Sequence, residues 1–386
     1  MTGNAAAAPA GIAPARVLAA SGRLSGAYDV ALLDLDGVVY VGADPVPGAA
    51  AALAEVRKSG MRLAYVTNNA SRRPTAVASM LSGMGVPAAA ADVVTSAQAA
   101  ARLLAERLPP GSPVLVVGSP ALADEVRSVG LEPVDTAEPL PAAVVQGYGP
   151  DTNWRDLAEA TVAVRGGALW VATNTDSTLP SARGPLPGNG ALVAVVALAT
   201  GARPEVVGKP HPGLHRESVE RTGARRPLVV GDRLDTDVEG AVAAGADSLL
   251  VFTGVTTPAE LLAAPAGQRP TYLAQDLNGL RQAHPQVAHG PGGTSCGGFR
   301  SRVEQGRLVL DGAGSDPLDA LRALCAAGWA AGLPAGPVRS QGAPAQAALT
   351  VLGIEIAAAA DRRAVPPVPA GTVKRDQPKP TRGADS

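Results

Sequence analysis

The chain has 386 residues, 46% of them hydrophobic and 17% charged, with a formal net charge of −1. That length holds more than one packed core, and the near-neutral balance excludes an electrostatic footprint for nucleic acid or for an anionic membrane. Two cysteines, Cys296 and Cys325, exclude a disulfide framework and a thiolate metal centre, and fit a reducing cytoplasm.

Residues 1–27 are rich in Ala, Gly and Pro and carry Arg16 and Arg23 but no acid. An organelle transit peptide shares that composition, but the whole chain is similarly biased, so a disordered tail is expected. Val30 to Leu35 is a short apolar run without alternation, the pattern of a strand buried on both faces of a parallel sheet. A helix over Gly48–Ser59, a strand over Arg62–Thr67, a helix over Pro74–Gly83, a strand over Val93–Thr95 and a helix over Ala97–Leu108 follow. Alternating strands and helices with short links predict a doubly wound α/β layer structure.

The same rhythm continues past Pro109-Pro110-Gly111. Strands are expected at Val114–Val117, Ala143–Gln146 and Leu169–Ala172, with helices at Leu122–Val129 and Asn153–Val164. Ser177 to Gly190 is rich in turn residues and reads as a loop. Then come a helix over Ala191–Ala199, a strand at Val206-Val207, a helix over Pro212–Thr222, a strand over Leu228–Val230, a helix over Val238–Ala244 and a strand over Ser248–Phe252. From about residue 287 the character changes. His289–Gly298 reads as a Gly-rich link, Phe299–Leu310 as a hairpin turning near Gln305-Gly306, and Asp316–Ala330 as an amphipathic helix. The stretch from Pro366 is Pro-rich and polar, so a second disordered tail is expected. No apolar run approaches membrane-spanning length.

Four short segments carry chemistry. Asp34-Leu35-Asp36-Gly37-Val38 closes the first strand, and ligands of doubly wound sheets bind outside the carboxyl ends of the strands. Two carboxylates there suit a hard divalent cation and a division between attack on phosphorus and proton handling. Taken alone, an Asp-x-Asp is more often an acidic turn. Thr67-Asn68-Asn69 closes the second strand, where a hydroxyl and main-chain N–H groups can hold phosphate oxygens; a helix cap or an Asx turn is the plainer reading. Gly208-Lys209-Pro210-His211-Pro212 opens a helix, placing a point positive charge where the helix field favours an anion. Gly231-Asp232-Arg233-Leu234-Asp235-Thr236-Asp237 follows a third apolar strand and supplies further oxygen ligands. In order along the chain, the four provide a nucleophile, an acid/base, phosphate donors, a cation and metal ligands. Phosphoryl transfer needs that inventory.

On these motifs, residues 28–285 resemble the haloacid dehalogenase-like hydrolase superfamily, in particular its subfamily IIA phosphatases. The resemblance implies that Asp34 becomes an aspartyl phosphate and that Asp36 protonates the leaving alcohol and then activates water. It implies that Thr67 and Asn68, with the adjoining Asn69, hold phosphate. Lys209 would steady the phosphate and Asp34, and magnesium would be bound by Asp34, the carbonyl of Asp36 and Asp232. Asp237 is expected to stand behind the metal ligands, with Asp235 its competitor for that place. The long stretch between Thr67 and Lys209 implies an inserted cap over the site. The expected fold is therefore α/β, a doubly wound parallel Rossmann-like core sheet (28–90 and 184–286) with an inserted α/β cap domain (91–183) and a small C-terminal α+β appendage (287–365).

Some glycerol-3-phosphate phosphatases of this type carry a C-terminal region resembling part of an N-acetyltransferase fold. This chain shows no Gly-rich acetyl-CoA loop, so a structural or oligomerising role is expected for that region, with Cys325 packed on the apolar side of its helix. Asn174-Thr175-Asp176 resembles another family segment, with contact to substrate and plain turn chemistry equally weighted. His211 and His215, one helical turn apart, lack a third ligand; His211 is expected at the loop edge and His215 at the surface.

The expected activity is magnesium-dependent hydrolysis of a small phosphorylated metabolite such as glycerol 3-phosphate or 2-phosphoglycolate, in the cytoplasm, with no nucleic acid or membrane partner and a homodimer left open. A sugar or nucleotide phosphatase of the same subfamily is the nearest alternative. A phosphotransferring mutase of the superfamily places its cap after the first motif, which disfavours it. A phospho-acceptor signalling module would be much shorter and would not need Asp36. A non-catalytic binder would not need all four motifs.

Overall fold

The computed structural model describes residues 16–357 apart from residues 180, 182 and 335. The first fifteen residues, and the tail expected from Pro366, lie outside the described residues.

A six-stranded parallel sheet forms the centre, in the order Tyr272–Ala274, Asp247–Val251, Pro227–Gly231, Val30–Leu33, Arg62–Thr67, Val93–Thr95. Its middle strands are apolar and buried at every position, as strands covered on both faces must be. Strand order reverses at Val30–Leu33, which pairs in parallel with Pro227–Gly231 on one side and Arg62–Thr67 on the other. The segments following these three strands therefore converge above one crevice.

A second parallel sheet is inserted after the helix Ser96–Arg107, in the order Glu205–Val206, Leu169–Ala172, Ala143–Gln146, Pro113–Val117, Glu132–Val134. Two expected boundaries shift. Val93–Thr95 continues the ladder of Arg62–Thr67, so it belongs to the central sheet and not to the insertion. Glu205–Val206 pairs with Leu169–Ala172, so the inserted layer runs past residue 183 and takes in the helix Asn189–Thr200. Val93–Thr95 is buried at every position, whereas Glu205–Val206 is an edge strand from which only Val206 packs, half-buried, against the apolar cluster of the inserted layer. The Ser177–Gly190 segment, expected as a loop, carries a two-residue antiparallel pairing of Thr178–Leu179 with Leu186–Pro187.

Residues 16–27 are not a loose tail. Leu24 is fully buried, and the main chain at Ser21 exchanges two hydrogen bonds with His284, at 3.1 and 2.8 Å. The Arg16 guanidinium donates to Asp247 at 2.8 Å and to the Tyr272 hydroxyl at 2.9 Å, and Tyr28 donates to Asp247 at 2.6 Å. Two apolar anchors, Leu18 and Leu24, and one arginine tie down a segment whose Ala/Gly/Pro composition suggests disorder.

The C-terminal region is a five-stranded sheet, Ala288–Gly290, Gly293–Cys296, Phe299–Glu304, Arg307–Gly312 and Arg339–Gln341, with helices Pro317–Ala331 and Ala343–Val351. The expected Gly-rich link thus forms two strands, while the hairpin turns at Gln305-Gly306, both with positive φ, as expected. Asp316 caps the long helix by accepting from the Leu318 N–H at 2.9 Å. Leu318, Leu321, Leu324 and Cys325 share one apolar cluster with Leu250, Leu261 and Leu273 of the central layer. Arg322, buried in the same contact, donates to the carbonyl of Leu273 at 2.7 Å, on the edge strand of the central sheet. An edge that would otherwise expose unpaired backbone is thereby covered.

Candidate active site

Asp34 follows the last residue of its strand, its N–H still donating to Val230 at 2.8 Å, so strand pairing fixes where its side chain begins. Lys209 stands opposite. Its ammonium donates to Asp34 Oδ1 at 2.6 Å and to Asp237 Oδ1 at 2.6 Å. Lys209 is 4% exposed, Asp237 1% and Asp34 14%. Burial by itself would depress the lysine, but Asp237 and Asp34 outweigh it and hold the ammonium well above its ordinary range.

Asp237 is fully engaged, because its Oδ2 accepts from the Arg233 N–H at 3.1 Å. Asp235, its rival in the sequence, turns outward and pairs with Arg233 at 2.8 and 3.0 Å. A five-residue π-helical turn, Leu234–Val238, sets this phase and buries Asp237 together with Leu234 and Val238.

Asp232 completes the group. Its Oδ2 accepts from the Val255 N–H at 2.7 Å, while its Oδ1 is buried without a hydrogen-bond partner. Asp34, Asp232 and Asp237 each offer an oxygen within 4.8 Å of the others. Three carboxylates facing one ammonium leave two uncompensated negative charges when all are ionised. Burial, the largest cause, pushes the Asp34 carboxyl well above its ordinary range; Lys209 pulls it down, and Asp237 and Asp232 push it up. Burial and then Asp237 push Asp232 up to about 6. An orphaned buried carboxylate oxygen among hard donors, with excess negative charge, fits a divalent cation of the magnesium type. Asp237, with both oxygens taken, is the least available ligand of the three.

Two glycines make room for Asp232. A Cβ on Gly37, which has φ +79°, or on Gly254 would collide with the Asp232 carboxylate. Gly37 was visible in the first motif. Gly254 and Val255 were missed, because they lie in the loop after a fourth strand and carry no chemical side chain. Thr253, in the same loop, donates to the carbonyl of Gly37 at 2.6 Å and ties the two loops together.

Asp36 lies at the solvent edge, and the Tyr40 hydroxyl donates to its Oδ2 at 3.5 Å. Surrounding protein raises its carboxyl, against the pull of Tyr40, Arg72 and Lys209. Thr67 is buried at the end of its strand, its hydroxyl oxygen accepting from the Asn69 N–H at 3.1 Å.

The side chains of the two asparagines are hydrogen-bonded within the protein, so the expected hold on phosphate would fall to main-chain N–H groups of the segment. Asn68 Oδ1 accepts from the Lys209 N–H at 2.8 Å, and its Nδ2 donates to the Lys209 carbonyl at 3.1 Å. The side chain thus holds both main-chain polar groups of the lysine. Asn69 Oδ1 accepts from the N–H and hydroxyl of Ser71 at 2.8 and 2.9 Å, an exposed Asx turn. His215 also departs from expectation. It is buried, with neither ring nitrogen partnered, because the helix Gly213–Thr222 turns Leu214, His215, Glu217 and Ser218 inward; His211 stays exposed. The two histidines do not form a metal pair.

The comparisons with known proteins point to one family. A haloacid dehalogenase-like hydrolase profile matches residues 31–132 and a HAD-hydrolase-like profile residues 206–280. The chain is 48% identical to the D-glycerol 3-phosphate phosphatase of Mycobacterium tuberculosis over 79% of its own length and 86% of the relative's. This chain belongs to the haloacid dehalogenase-like hydrolases. It is a phosphatase of that family, with a doubly wound α/β core.

Other haloacid dehalogenase-like phosphatases agree. The acid sugar phosphatase of Staphylococcus saprophyticus is 38% identical, covering 65% of this chain and 96% of that protein. The crystal structure of the Mycobacterium tuberculosis glycerol phosphate phosphatase in complex with magnesium superposes with a TM-score of 0.80 at 46% identity, over 86% of this chain and 99% of that one. The p-nitrophenyl phosphatase of Archaeoglobus fulgidus gives 0.61 at 30% identity, over 66% and 98%. Residues 296–354 match a GCN5-related N-acetyltransferase like domain. Among the described residues, no helix is long and apolar enough to cross a membrane.

Proposed function

We propose that this phosphatase hydrolyses glycerol 3-phosphate or a closely similar small phosphomonoester, with magnesium, through an aspartyl phosphate on Asp34. The observation that carries the chemistry is the buried Lys209 ammonium, 2.6 Å from both Asp34 and Asp237, beside the unpartnered Oδ1 of Asp232. The substrate rests on a relative of 48% identity that is a D-glycerol 3-phosphate phosphatase and that this chain covers over 86% of its length.

Magnesium, held by Asp34, Asp232 and the carbonyl of Asp36, would neutralise the charge that builds on the transferring phosphoryl group. Lys209 orients the Asp34 carboxylate and reduces its repulsion of the incoming phosphate dianion. An Asp34 oxygen bonds to phosphorus as the ester P–O bond breaks, and Asp36, at the solvent edge, gives its proton to the leaving alkoxide. Asp36 then takes a proton from the water that attacks phosphorus, releasing inorganic phosphate and restoring Asp34. Thr67 is proposed to hold a phosphate oxygen. Asn68 acts on the lysine, and Asn69 shapes the turn. The inserted layer acts as a cap that excludes water and selects the substrate. A sugar phosphate is the second reading, supported by the acid sugar phosphatase relatives.

Turnover of p-nitrophenyl phosphate with and without magnesium tests the class, with Asp34→Asn as the control. Folded protein without magnesium-dependent turnover overturns the reading. A panel of glycerol 3-phosphate, 2-phosphoglycolate, sugar phosphates and nucleoside monophosphates then ranks substrates by kcat/KM, and glycerol 3-phosphate is expected to lead.

A further inference from the structure

Asn68 clamps the main chain of Lys209 through both ends of its side-chain amide. The Asn68 amide nitrogen also lies 3.3 and 3.4 Å from the two carboxylate oxygens of Asp176, a residue carried by the inserted layer. Asp176 is itself held firmly. Its N–H donates to Asn174 Oδ1 at 3.2 Å, and its carbonyl accepts from the Gly190 N–H at 2.9 Å. Asn174 donates to the carbonyl of Asn68 at 2.8 Å, and Asn189 donates to the carbonyl of Asn174 at 2.7 Å. Cβ atoms on Gly188 and Gly190 would strike the carbonyls of Asp176 and Thr175, so the backbones meet there without side chains. On the other side, a Cβ on Gly208 would strike the carbonyl of Thr173 and stand 2.8 Å from Asn68 Oδ1. The inserted layer thus meets the core at the residue just before Lys209.

We propose that Asp176 is a positioning residue: by holding the Asn68 amide it fixes the Lys209 main chain, and so sets where the Lys209 ammonium meets Asp34. The inference rests on the hydrolase reading above. The inserted layer then shapes the charge arrangement at the nucleophile as well as covering it. A displacement that separates Asp176 from Asn68 loosens the clamp on Lys209 while leaving Asp34 on its strand. A carboxylate acceptor is suited to this, because a hydrogen bond to a charged group is stronger than one between neutral groups.

The test uses the full chain with Asp176→Ala and Asp176→Asn, the second keeping an acceptor for the Asn68 amide. Magnesium-dependent turnover of p-nitrophenyl phosphate gives kcat and KM, and hydrogen exchange followed by mass spectrometry reads the peptide containing the Lys209 N–H. In Asp176→Ala, kcat falls about tenfold with KM within about twofold, as loss of an interaction that positions a transition-state group should, and the Lys209 peptide exchanges faster. Asp176→Asn restores most of both. Unchanged kcat and exchange in Asp176→Ala overturn the proposal. A raised KM with kcat held points to direct contact with substrate and also overturns it, as does an Asp176→Asn variant as impaired as the alanine one. If the wild type shows no turnover, the hydrolase reading fails, and the exchange measurement still decides the linkage to Lys209.

Discussion

Lys209 and Asp237 form a salt bridge of 2.6 Å in which both side chains are almost wholly buried. The second contact of that ammonium, to Asp34, sets its positive charge among the carboxylates of the Asp34, Asp232 and Asp237 cluster. Removing either end of a buried pair leaves an uncompensated charge. Lys209→Ala is expected to lower kcat by about 10³ or more, in the range seen when one electrostatic stabiliser is removed. Circular dichroism should show the fold retained in the magnesium-bound protein.

Asp237 and Asp235 separate the buried acid from its exposed neighbour. Asp237→Asn keeps an acceptor but removes the charge beside Lys209, and kcat should fall about 10- to 100-fold. Asp235 is 59% exposed and pairs with Arg233. Asp235→Asn should leave kcat within about twofold, since surface ion pairs contribute little. Steady-state kinetics on both variants checks the assignment, and equal effects would contradict it.

Gly254 leaves no room for a side chain beside Asp232. Gly254→Ala should displace the Asp232 carboxylate and raise the magnesium concentration needed for half-maximal activity by about 10- to 100-fold, the usual cost of disturbing a group that orients a metal ligand. Isothermal titration with magnesium measures it directly. An unchanged affinity would show that Asp232 is not a ligand.

Burial, with a smaller contribution from the Lys209 charge, lowers His215 from 6.5 to about 3. The unfolded chain takes up this proton first as pH falls, so the folded state loses stability from about pH 6.5 downward toward pH 3. By pH 4.5 the loss amounts to about 2–3 kcal/mol. Replacing the ring by a similar apolar volume, His215→Leu, removes that acid loss of stability. The difference in unfolding free energy between wild type and variant, measured by urea at pH 7.5 and pH 4.5, should move by this amount in favour of the variant at acid pH.

Arg322 links the C-terminal helix to the central sheet, donating at 2.7 Å to Leu273 and at 2.7 Å to Asp319. Arg322→Ala strands a buried carbonyl and a partly buried carboxylate. It should destabilise the protein by about 2–4 kcal/mol, with little effect on KM at permissive temperature. Chemical denaturation and kinetics together distinguish this from a second active site in that region.

Much of the central and inserted parallel sheets was legible from apolar runs. Arg62–Thr67, Val93–Thr95, Ala143–Gln146 and Leu169–Ala172 match expectation residue for residue, because a strand covered on both faces is a continuous apolar run. The edge strands Tyr272–Ala274 and Glu132–Val134 were not anticipated. Each is three residues long, and Glu132–Val134 includes a proline, which only an edge tolerates. The assignment of Val93–Thr95 to the central sheet was equally invisible, since a strand does not carry the address of its partner.

What the sequence alone determined was the local placement of the chemistry. Asp34, Thr67 and Asp232 each follow or close an apolar strand, and strand direction in a parallel sheet puts all such ends on one side. Tertiary structure decided how those groups are used. It turned Asp237 rather than Asp235 toward Lys209 through a π-helical turn, and it bent the Asn68 amide onto the lysine main chain. It also brought Gly254 against Asp232 and buried His215. Each of these outcomes depends on the phase of a turn or on contact between segments far apart in the chain. Residue type and spacing set neither until the layers have packed.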